Sequence, residues 1–363
     1  MSTGSLYVGI MSGTSLDGVD AVLADLDDGV PRMLGTHFQP YPEDLRAELL
    51  SLQDSGDDEL HRGAVLAVRV TELYALAVNA LISANGNPEV AAIGCHGQTV
   101  RHRPEYGYSI QLVNGAMLAE RTGICSITDF RSRDIAAGGE GAPLVPAFHE
   151  ACFRDDVTPR AIVNIGGIAN VTFLPRNGPI TGFDTGPGNM LMDAWVHRHL
   201  SQTYDRDGAF AASGSVNAGL LGALLADPYF ARTPPKSTGR DHFNMAWLQS
   251  FAIAGIEPRD IQATLAELTA ASIAASIRDF CTDAKEVYVC GGGAHNGHLM
   301  NRISARLQDR TFASTERIGM SPDWVEALAF AWLARCTIER IPGNAPAVTG
   351  AKGPRVLGAI YPK

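Results

Sequence analysis

Leu6-Tyr7-Val8 runs into Gly9-Ile10-Met11-Ser12-Gly13-Thr14-Ser15-Leu16-Asp17-Gly18-Val19-Asp20, and Ala21-Val22-Leu23-Ala24 follows. An apolar strand, a polar turn rich in Gly, Ser and Thr, and a second apolar strand make one unit. A plain hairpin needs a loop of about two to five residues, and this turn is longer. Its backbone N–H groups and hydroxyls can converge on one point, and such a concavity binds anions, phosphate above all. Asp17 and Asp20 bring carboxylates to the same place, where Mg²⁺ would sit between them and phosphate oxygens. The competing reading is a Gly-rich hairpin in which Gly and Asp act only as turn formers.

Apolar strands leading into glycines recur at 162–167 and 287–293. The recurrence predicts two related α/β halves, each opening on a glycine-turn hairpin, that face each other across a cleft. At 363 residues the chain exceeds what one core usually supports, in keeping with two domains. Glycines 138, 139 and 141, ending on Pro143, mark a composition shift suited to a hinge. The expected division is a first domain over 1–130 and a second over 131–349, with the tail 350–363 returning to the first as a late strand. Apolar residues at three- and four-residue steps predict a helix over 44–81. Further helices are predicted over 116–121, from 190, over 261–280, from 296 and over 324–336. Arg131 and Arg133 are read as alternating on an extended segment.

Composition narrows the function. Hydrophobic residues make up 45% and charged ones 19%, an ordinary globular balance. A formal charge of −10 argues against a nucleic-acid partner, although a local Arg cluster can still receive an anionic substrate. No basic and apolar leader is visible, and no run of about 18 apolar residues is read, so neither secretion nor a membrane span is expected. Six cysteines without a C-x-x-C pair read as reduced thiols of a cytoplasmic protein. Cys95 beside His96 suggests a nucleophile, but neighbours on a strand point to opposite faces.

Familiar nucleotide signatures fit poorly. Pro234-Pro235-Lys236-Ser237-Thr238-Gly239-Arg240 holds Lys-Ser-Thr without the glycines or strand of a P-loop; it reads either as a solvated basic loop or as a substrate or hinge segment. Gly291-Gly292-Gly293 follows a strand and opens a helix, but the dinucleotide fingerprint fails at Asn296. Those glycines form a floor for an adenosine or serve close packing. Asp184, at the end of a strand and followed by Thr185-Gly186-Pro187-Gly188-Asn189, is the candidate general base beside a phosphoryl group. The helix start just downstream offers further N–H donors to phosphate; the alternative is a turn or cap carboxylate. Glu326, on an otherwise apolar helix, is either a substrate contact or part of an exposed face. One of Arg131 and Arg133 can grip an anionic group, while the other pairs with Asp129 or Asp134.

Together these segments resemble the anhydro-N-acetylmuramic acid kinase family, within the sugar kinase/Hsp70/actin superfamily. The resemblance spans nearly the whole chain, through Met11–Gly18, Cys95-His96-Gly97-Gln98-Thr99, Gly141–His149, Asn164-Ile165-Gly166-Gly167, Phe183–Asn189, Pro235–Arg240, Cys290–Gly293 and Pro342-Gly343-Asn344. It implies two α/β domains of the actin-like (ribonuclease H-like) ATPase type facing a central cleft and closing over it, and a homodimer. The implied reaction uses ATP and Mg²⁺, opens the 1,6-anhydro ring of 1,6-anhydro-N-acetylmuramic acid with water and phosphorylates O6. N-acetylmuramic acid 6-phosphate and ADP result, in the recycling of cell-wall sugars. Carried over by motif, Asp184 activates the water. Gly13, Thr14, Ser15, Leu16, Asp17, Gly18, Val19 and Asp20 hold the ATP phosphates, with Asp17 and Asp20 near the metal. Gly166, Gly167 and Asn170 form the opposing loop, and Gly291, Gly292 and Gly293 border the adenosine. His96, Gly97, Gln98, Arg131 and Glu326 line the sugar pocket. Rival readings are a plain hexose or amino-sugar kinase and a non-catalytic sugar sensor; the absence of a helix-turn-helix before the first hairpin and the presence of Asp184 speak against the sensor.

Overall fold

The computed structural model describes residues 5–13, 16–27 and 31–363. The chain divides into two units, Met1–Cys152 with Trp324–Lys363, and Phe153–Asp323. The first unit opens with β1 (Leu6–Met11), β2 (Gly18–Asp25) and β3 (Arg32–Pro40), followed by α1 (Glu43–Ser51) and α2 (Glu59–Ala84). Then come β4 (Ala92–Cys95), β5 (Gln98–Arg103), β6 (Tyr108–Leu112), α3 (Gly115–Thr122), β7 (Ser126–Thr128), α4 (Ser132–Ala136) and α5 (Val145–Phe153).

The second unit holds β8 (Arg160–Ile165), β9 (Ile168–Leu174), β10 (Thr181–Pro187) and α6 (Met190–Leu200). Three short helices, α7 (Ala209–Ala212), α8 (Ala218–Leu225) and α9 (Met245–Gln249), lead to α10 (Pro258–Phe280). The unit ends with β11 (Glu286–Cys290), α11 (Gly297–Arg306) and β12 (Thr311–Ser314). The chain then returns to the first unit with α12 (Val325–Glu339), α13 (Pro346–Thr349) and β13 (Ala359–Tyr361).

Beside a small two-stranded sheet of β5 and β6, the two larger sheets share one plan. In the first the order is β13-β7-β4-β1-β2-β3, and in the second β10-β9-β8-β11-β12. Each begins with a three-stranded antiparallel meander whose first strand then pairs in parallel with a later one, β4 beside β1 and β11 beside β8. A further parallel strand, β7 or β12, extends the sheet beyond it. This repeated 3-2-1-4-5 order is the ribonuclease H-like arrangement of actin-like ATPases, and β13 adds an antiparallel edge to the first copy.

In the first unit, side-chain alternation along β1 serves two helices. Val8 and Ile10 join the core with Leu66, Val70, Tyr74, Val78 and Leu81 of α2, residues spaced to lie on one helix face. Gly9 serves α12: a Cβ there would stand 1.8 Å from the Ala327 carbonyl oxygen, and one at Gly94 in β4 would stand 2.0 Å from that of Phe330. Backbone-to-backbone contact at these two glycines seats α12 directly on the central strands.

In the second unit α10 is buried along nearly its whole length, polar Gln262, Thr264, Thr269 and Ser272 included. Its one interior carboxylate, Glu267, accepts from Arg302 Nε and from Arg306 Nε at 2.7 Å.

Several expectations change. The helix over 44–81 is two helices, with Leu52–Asp58 between them. Gln98 begins β5, and Arg133 lies in the short helix α4, which Arg131 directly precedes, so the two arginines do not alternate on an extended segment. By length and composition α2 is apolar enough to cross a membrane, contrary to the reading of the sequence; its inward stripe is packed on the sheet. The domain boundary moves as well. Segments 131–152 and 324–349 belong with the first unit, because buried Asp134 ties them together. Its Oδ1 accepts from Asn344 Nδ2 at 2.7 Å and Thr349 Oγ1 at 2.8 Å, and its Oδ2 from the Gly141 N–H at 2.9 Å.

Candidate active site

Each unit carries its own set of the predicted residues. In the first, the turn after β1 is held from beneath by a buried polar network. Ser12 Oγ lies 2.9 Å from Tyr74 OH and donates to the Gly97 carbonyl at 3.2 Å. Tyr41 OH is 3.3 Å from Tyr74 OH and donates to Gln98 Oε1 at 3.4 Å, while Gln98 Nε2 donates to the Gly13 carbonyl at 3.2 Å. Tyr41 and Tyr74 were not singled out in the sequence, where no motif marks them, and Ser12 entered only as part of the turn. Gln98, predicted for the sugar pocket, is fully buried and spends its amide on the turn. Leu16 adopts a left-handed φ of 59° and, like Val19, puts its side chain into the core, leaving only backbone to a ligand. Gly18 packs on the Phe38 ring. Asp17 is exposed and Asp20 partly exposed in β2; Thr14 and Ser15 lie outside the described residues.

Beside this turn, His96 and Arg131 meet. Arg131 Nη1 donates to the Gly141 carbonyl and Nη2 to His96 Nε2, each at 2.7 Å. Since guanidinium only donates, Nε2 is the acceptor and Nδ1 carries the imidazole proton. Burial, with help from the Arg131 charge, lowers the His96 pKa to about 3, so the ring is neutral. Burial lowers Arg131 to about 10, against the pull of Glu326 and Asp134. Neither His96 Nδ1 nor Arg131 Nε has a hydrogen-bond partner among the described residues. Among the described residues Arg131 makes no ion pair with Asp129 or Asp134, and Arg133 is exposed. Glu326 is partly buried in the first turn of α12, where a carboxylate suits the helix dipole. Gly97, with φ at 76°, turns the chain between His96 and β5. Burial pushes the Cys95 thiol up to about 12, which leaves it inert as a nucleophile.

In the second unit, Asn164, Asn170 and Asp184 stand opposite one another across β8, β9 and β10, so the three polar side chains form a row. The ladder shifts register between Asp184 and Gly186, a bulge of the kind that re-aims a side chain. The Thr238 N–H donates to Asp184 Oδ2 at 3.0 Å, Tyr229 OH donates to the Asp184 carbonyl at 2.7 Å, and the Asp184 N–H donates to the Lys236 carbonyl at 3.1 Å. Burial raises the Asp184 pKa to about 6, opposed by the Thr238 N–H and the Lys236 charge. The segment 234–240 thus meets Asp184 at Lys236 and Thr238, while Pro235, Ser237 and Arg240 are exposed. Tyr229 lay outside the sequence reading, since no motif marks it.

The helix start after Asp184 is not available as predicted. The N–H groups of Gly188, Asn189 and Met190 donate to the carbonyls of Gly167, Gly166 and Gly167 at 2.9, 2.8 and 3.2 Å. They bind the β8–β9 turn instead of an anion, and a Cβ on Gly188 would lie 2.3 Å from the Gly166 carbonyl oxygen. The Gly291–Gly293 turn divides in a similar way. Cβ atoms at Gly291 and Gly293 would each fall 2.3 Å from side-chain atoms, Asn164 Oδ1 and Ile165 Cγ2, whereas Gly292 is exposed with nothing nearer than 3.9 Å. Close packing accounts for the outer two glycines, and Gly292 is the open floor.

The family model described as Anhydro-N-acetylmuramic acid kinase matches residues 5–363. The chain belongs to the anhydro-N-acetylmuramic acid kinase family. It is similar to the kinase of that name from Thiobacillus denitrificans, with 57% identity over 361 residues, 98% of this chain and 97% of the relative. The corresponding kinase of Nitrosospira multiformis is 56% identical over 360 residues, 98% of each chain. Membership in the anhydro-N-acetylmuramic acid kinase family makes the chain a phosphotransferase enzyme. Among solved structures it is similar to the (R)-2-hydroxyglutaryl-CoA dehydratase component A of Acidaminococcus fermentans, with a TM-score of 0.48 and 13% identity, over 90% of this chain and 96% of the other. The fold assignment rests on the sheet order above, not on that likeness.

Proposed function

We propose that the chain is an ATP-dependent kinase that opens the 1,6-anhydro ring of 1,6-anhydro-N-acetylmuramic acid with water and phosphorylates O6, in the recycling of cell-wall sugars. The observation that carries the reading is Asp184: a carboxylate fixed at Oδ2 by the Thr238 N–H, with a pKa raised to about 6. Such a group is ionised at neutral pH yet more basic than an ordinary aspartate, as a general base should be. Asp184 takes a proton from the water that bonds to C1. The C1–O6 bond breaks, and O6 bonds to the γ-phosphorus as the bond to the β–γ bridging oxygen breaks, releasing ADP.

The other residues take supporting roles. His96 Nδ1–H and Arg131 Nε–H, buried and without a hydrogen-bond partner among the described residues, meet acceptors on the sugar, since a buried donor left unpaired costs about 1–3 kcal/mol. Glu326 and Gly97 border the same pocket, and Gln98 acts through the turn. The backbone of the β1–β2 turn and of the start of β2, from Gly13 to Asp20, receives ATP phosphates, Gly166 and Gly167 with Asn170 of β9 serve as the second phosphate site, and Gly292 underlies the adenosine. Among the described residues no three His, Cys, Asp or Glu side chains gather as a metal cage. Mg²⁺ is usually held by phosphate and water oxygens with one or two carboxylates; Asp17 or Asp20 would supply these, and the ion would neutralise phosphate charge.

The proposal also places the enzyme in the cytoplasm as a homodimer. Six free thiols suit a reducing compartment, and exposed Leu60, Val65, Val68 and Leu76 along α2 suit burial by a second copy. Light scattering checks the oligomer. Function is tested by ADP release with the anhydro sugar, N-acetylmuramic acid and glucosamine as acceptors. Turnover confined to the anhydro sugar supports the proposal; equal or faster turnover of an unbridged sugar indicates a plain sugar kinase.

A further inference from the structure

The ammonium of Lys236 has no part in the roles above, and its surroundings are unusual. Lys236 is only 6% exposed. Among the described residues it makes no ion pair; its Nζ faces three rings, 4.9 Å from the centroid of Tyr229, 5.9 Å from Phe183 and 6.0 Å from Phe280. Aromatic faces offset part of the loss of hydration for such a cation. Two of the three rings, Phe183 and Tyr229, adjoin Asp184, and Phe280 packs on Phe183. Phe183 precedes Asp184 in β10, Tyr229 donates to the Asp184 carbonyl, and the Lys236 carbonyl accepts the Asp184 N–H.

We propose that Lys236 is a positioning residue for the Asp184 base: its ammonium, held by Phe183, Tyr229 and Phe280 instead of by a carboxylate, supplies positive charge beside Asp184 without pairing with it. The arrangement solves a conflict. A carboxylate in apolar surroundings holds its proton, whereas one in a direct ion pair releases it too readily to serve as a base. A caged cation at a distance leaves the carboxylate between these limits. The other charges acting on the pair are Arg232, whose guanidinium carbon lies 5.8 Å from the Tyr229 centroid, and Asp279, which favours the charged form of Lys236. Burial itself lowers the Lys236 pKa. This inference rests on the functional reading only for the word base; the electrostatic relation between the two side chains stands apart from it.

The test is a direct titration of Asp184 by carbon NMR on protein labelled at aspartate carboxyls, with the signal assigned by its loss in Asp184→Asn. Lys236→Met should raise the midpoint by about one pH unit, and Lys236→Arg should restore it. Phe280→Leu keeps the lysine but opens the cage, so that direct pairing lowers the midpoint; this variant decides the matter if Lys236→Met does not fold. An unchanged midpoint in folded Lys236→Met, or in Phe280→Leu, overturns the proposal. The acid limb of kcat/KM is measured in parallel. A titration that moves while the acid limb stays still upholds the role of Lys236 and refutes Asp184 as the base.

Discussion

Replacing Asp184 by Asn separates activity from stability. The carboxyl has an ordinary pKa of 3.8 in the unfolded chain and about 6 in the fold. Below pH 3.8 both states hold the proton, and the group has no effect on stability. Between 3.8 and 6 the unfolded chain sheds it first, so stability falls as pH rises. Above about 6 the whole difference of about two pH units weighs against the fold, roughly 3 kcal/mol at 1.36 kcal/mol per unit. Asn keeps a carbonyl oxygen for the Thr238 N–H and carries no charge to desolvate. The variant should therefore be more stable than the parent by about 1–3 kcal/mol at pH 7.5 and equal to it near pH 4. Turnover should fall by about 10²–10⁴, the usual contribution of a general base. In the parent, kcat/KM should fall tenfold per pH unit below about 6, because only the ionised form accepts a proton. Denaturant midpoints at the two pH values and a pH–rate profile measure all three. A variant less stable at pH 7.5 than the parent, or one that retains full turnover, refutes the reasoning.

Three further outcomes follow from the packing. Gly9→Ala drives a methyl into the α12 backbone and should cost more than about 2 kcal/mol, read as a lower thermal midpoint or loss of soluble protein. Gly291→Ala should be destabilising, since it meets Asn164 Oδ1 and holds a φ of 79°, while Gly292→Ala should leave stability unchanged and raise KM for ATP. Tyr74→Phe removes the hydroxyl that links Ser12 to Tyr41; it should cost about 1 kcal/mol and raise KM for ATP more than KM for the sugar.

The glycine-turn hairpins were legible because an apolar run bounded by glycines is a local signal, and β1–β2 and β8–β9 both carry it. The long helix α10 was legible by its apolar length. The boundary at 130 was not. Glycines 138, 139 and 141 do form a loop, but its attachment to the first unit runs through Asp134 to Asn344 and Thr349, more than 200 residues away. No local composition reports such a pairing. Asp184 stood out because it follows an apolar residue and precedes glycines, although it lies in the middle of β10 and not at the strand end the sequence suggested. Its partners Tyr229 and Lys236 come from a distant segment, so motif spacing could mark the lysine only as one of several candidates. The row formed by Asn164, Asn170 and Asp184 depends on register, which follows from pairing and not from any one strand.

The central claim, that ring opening by water is coupled to phosphorylation, is tested most directly by turnover in water labelled with heavy oxygen and mass analysis of the sugar phosphate. One labelled oxygen at C1 and none in the phosphoryl group is the result the account predicts. A phosphorylated sugar with no solvent oxygen at C1, or label in the phosphoryl group, would contradict it.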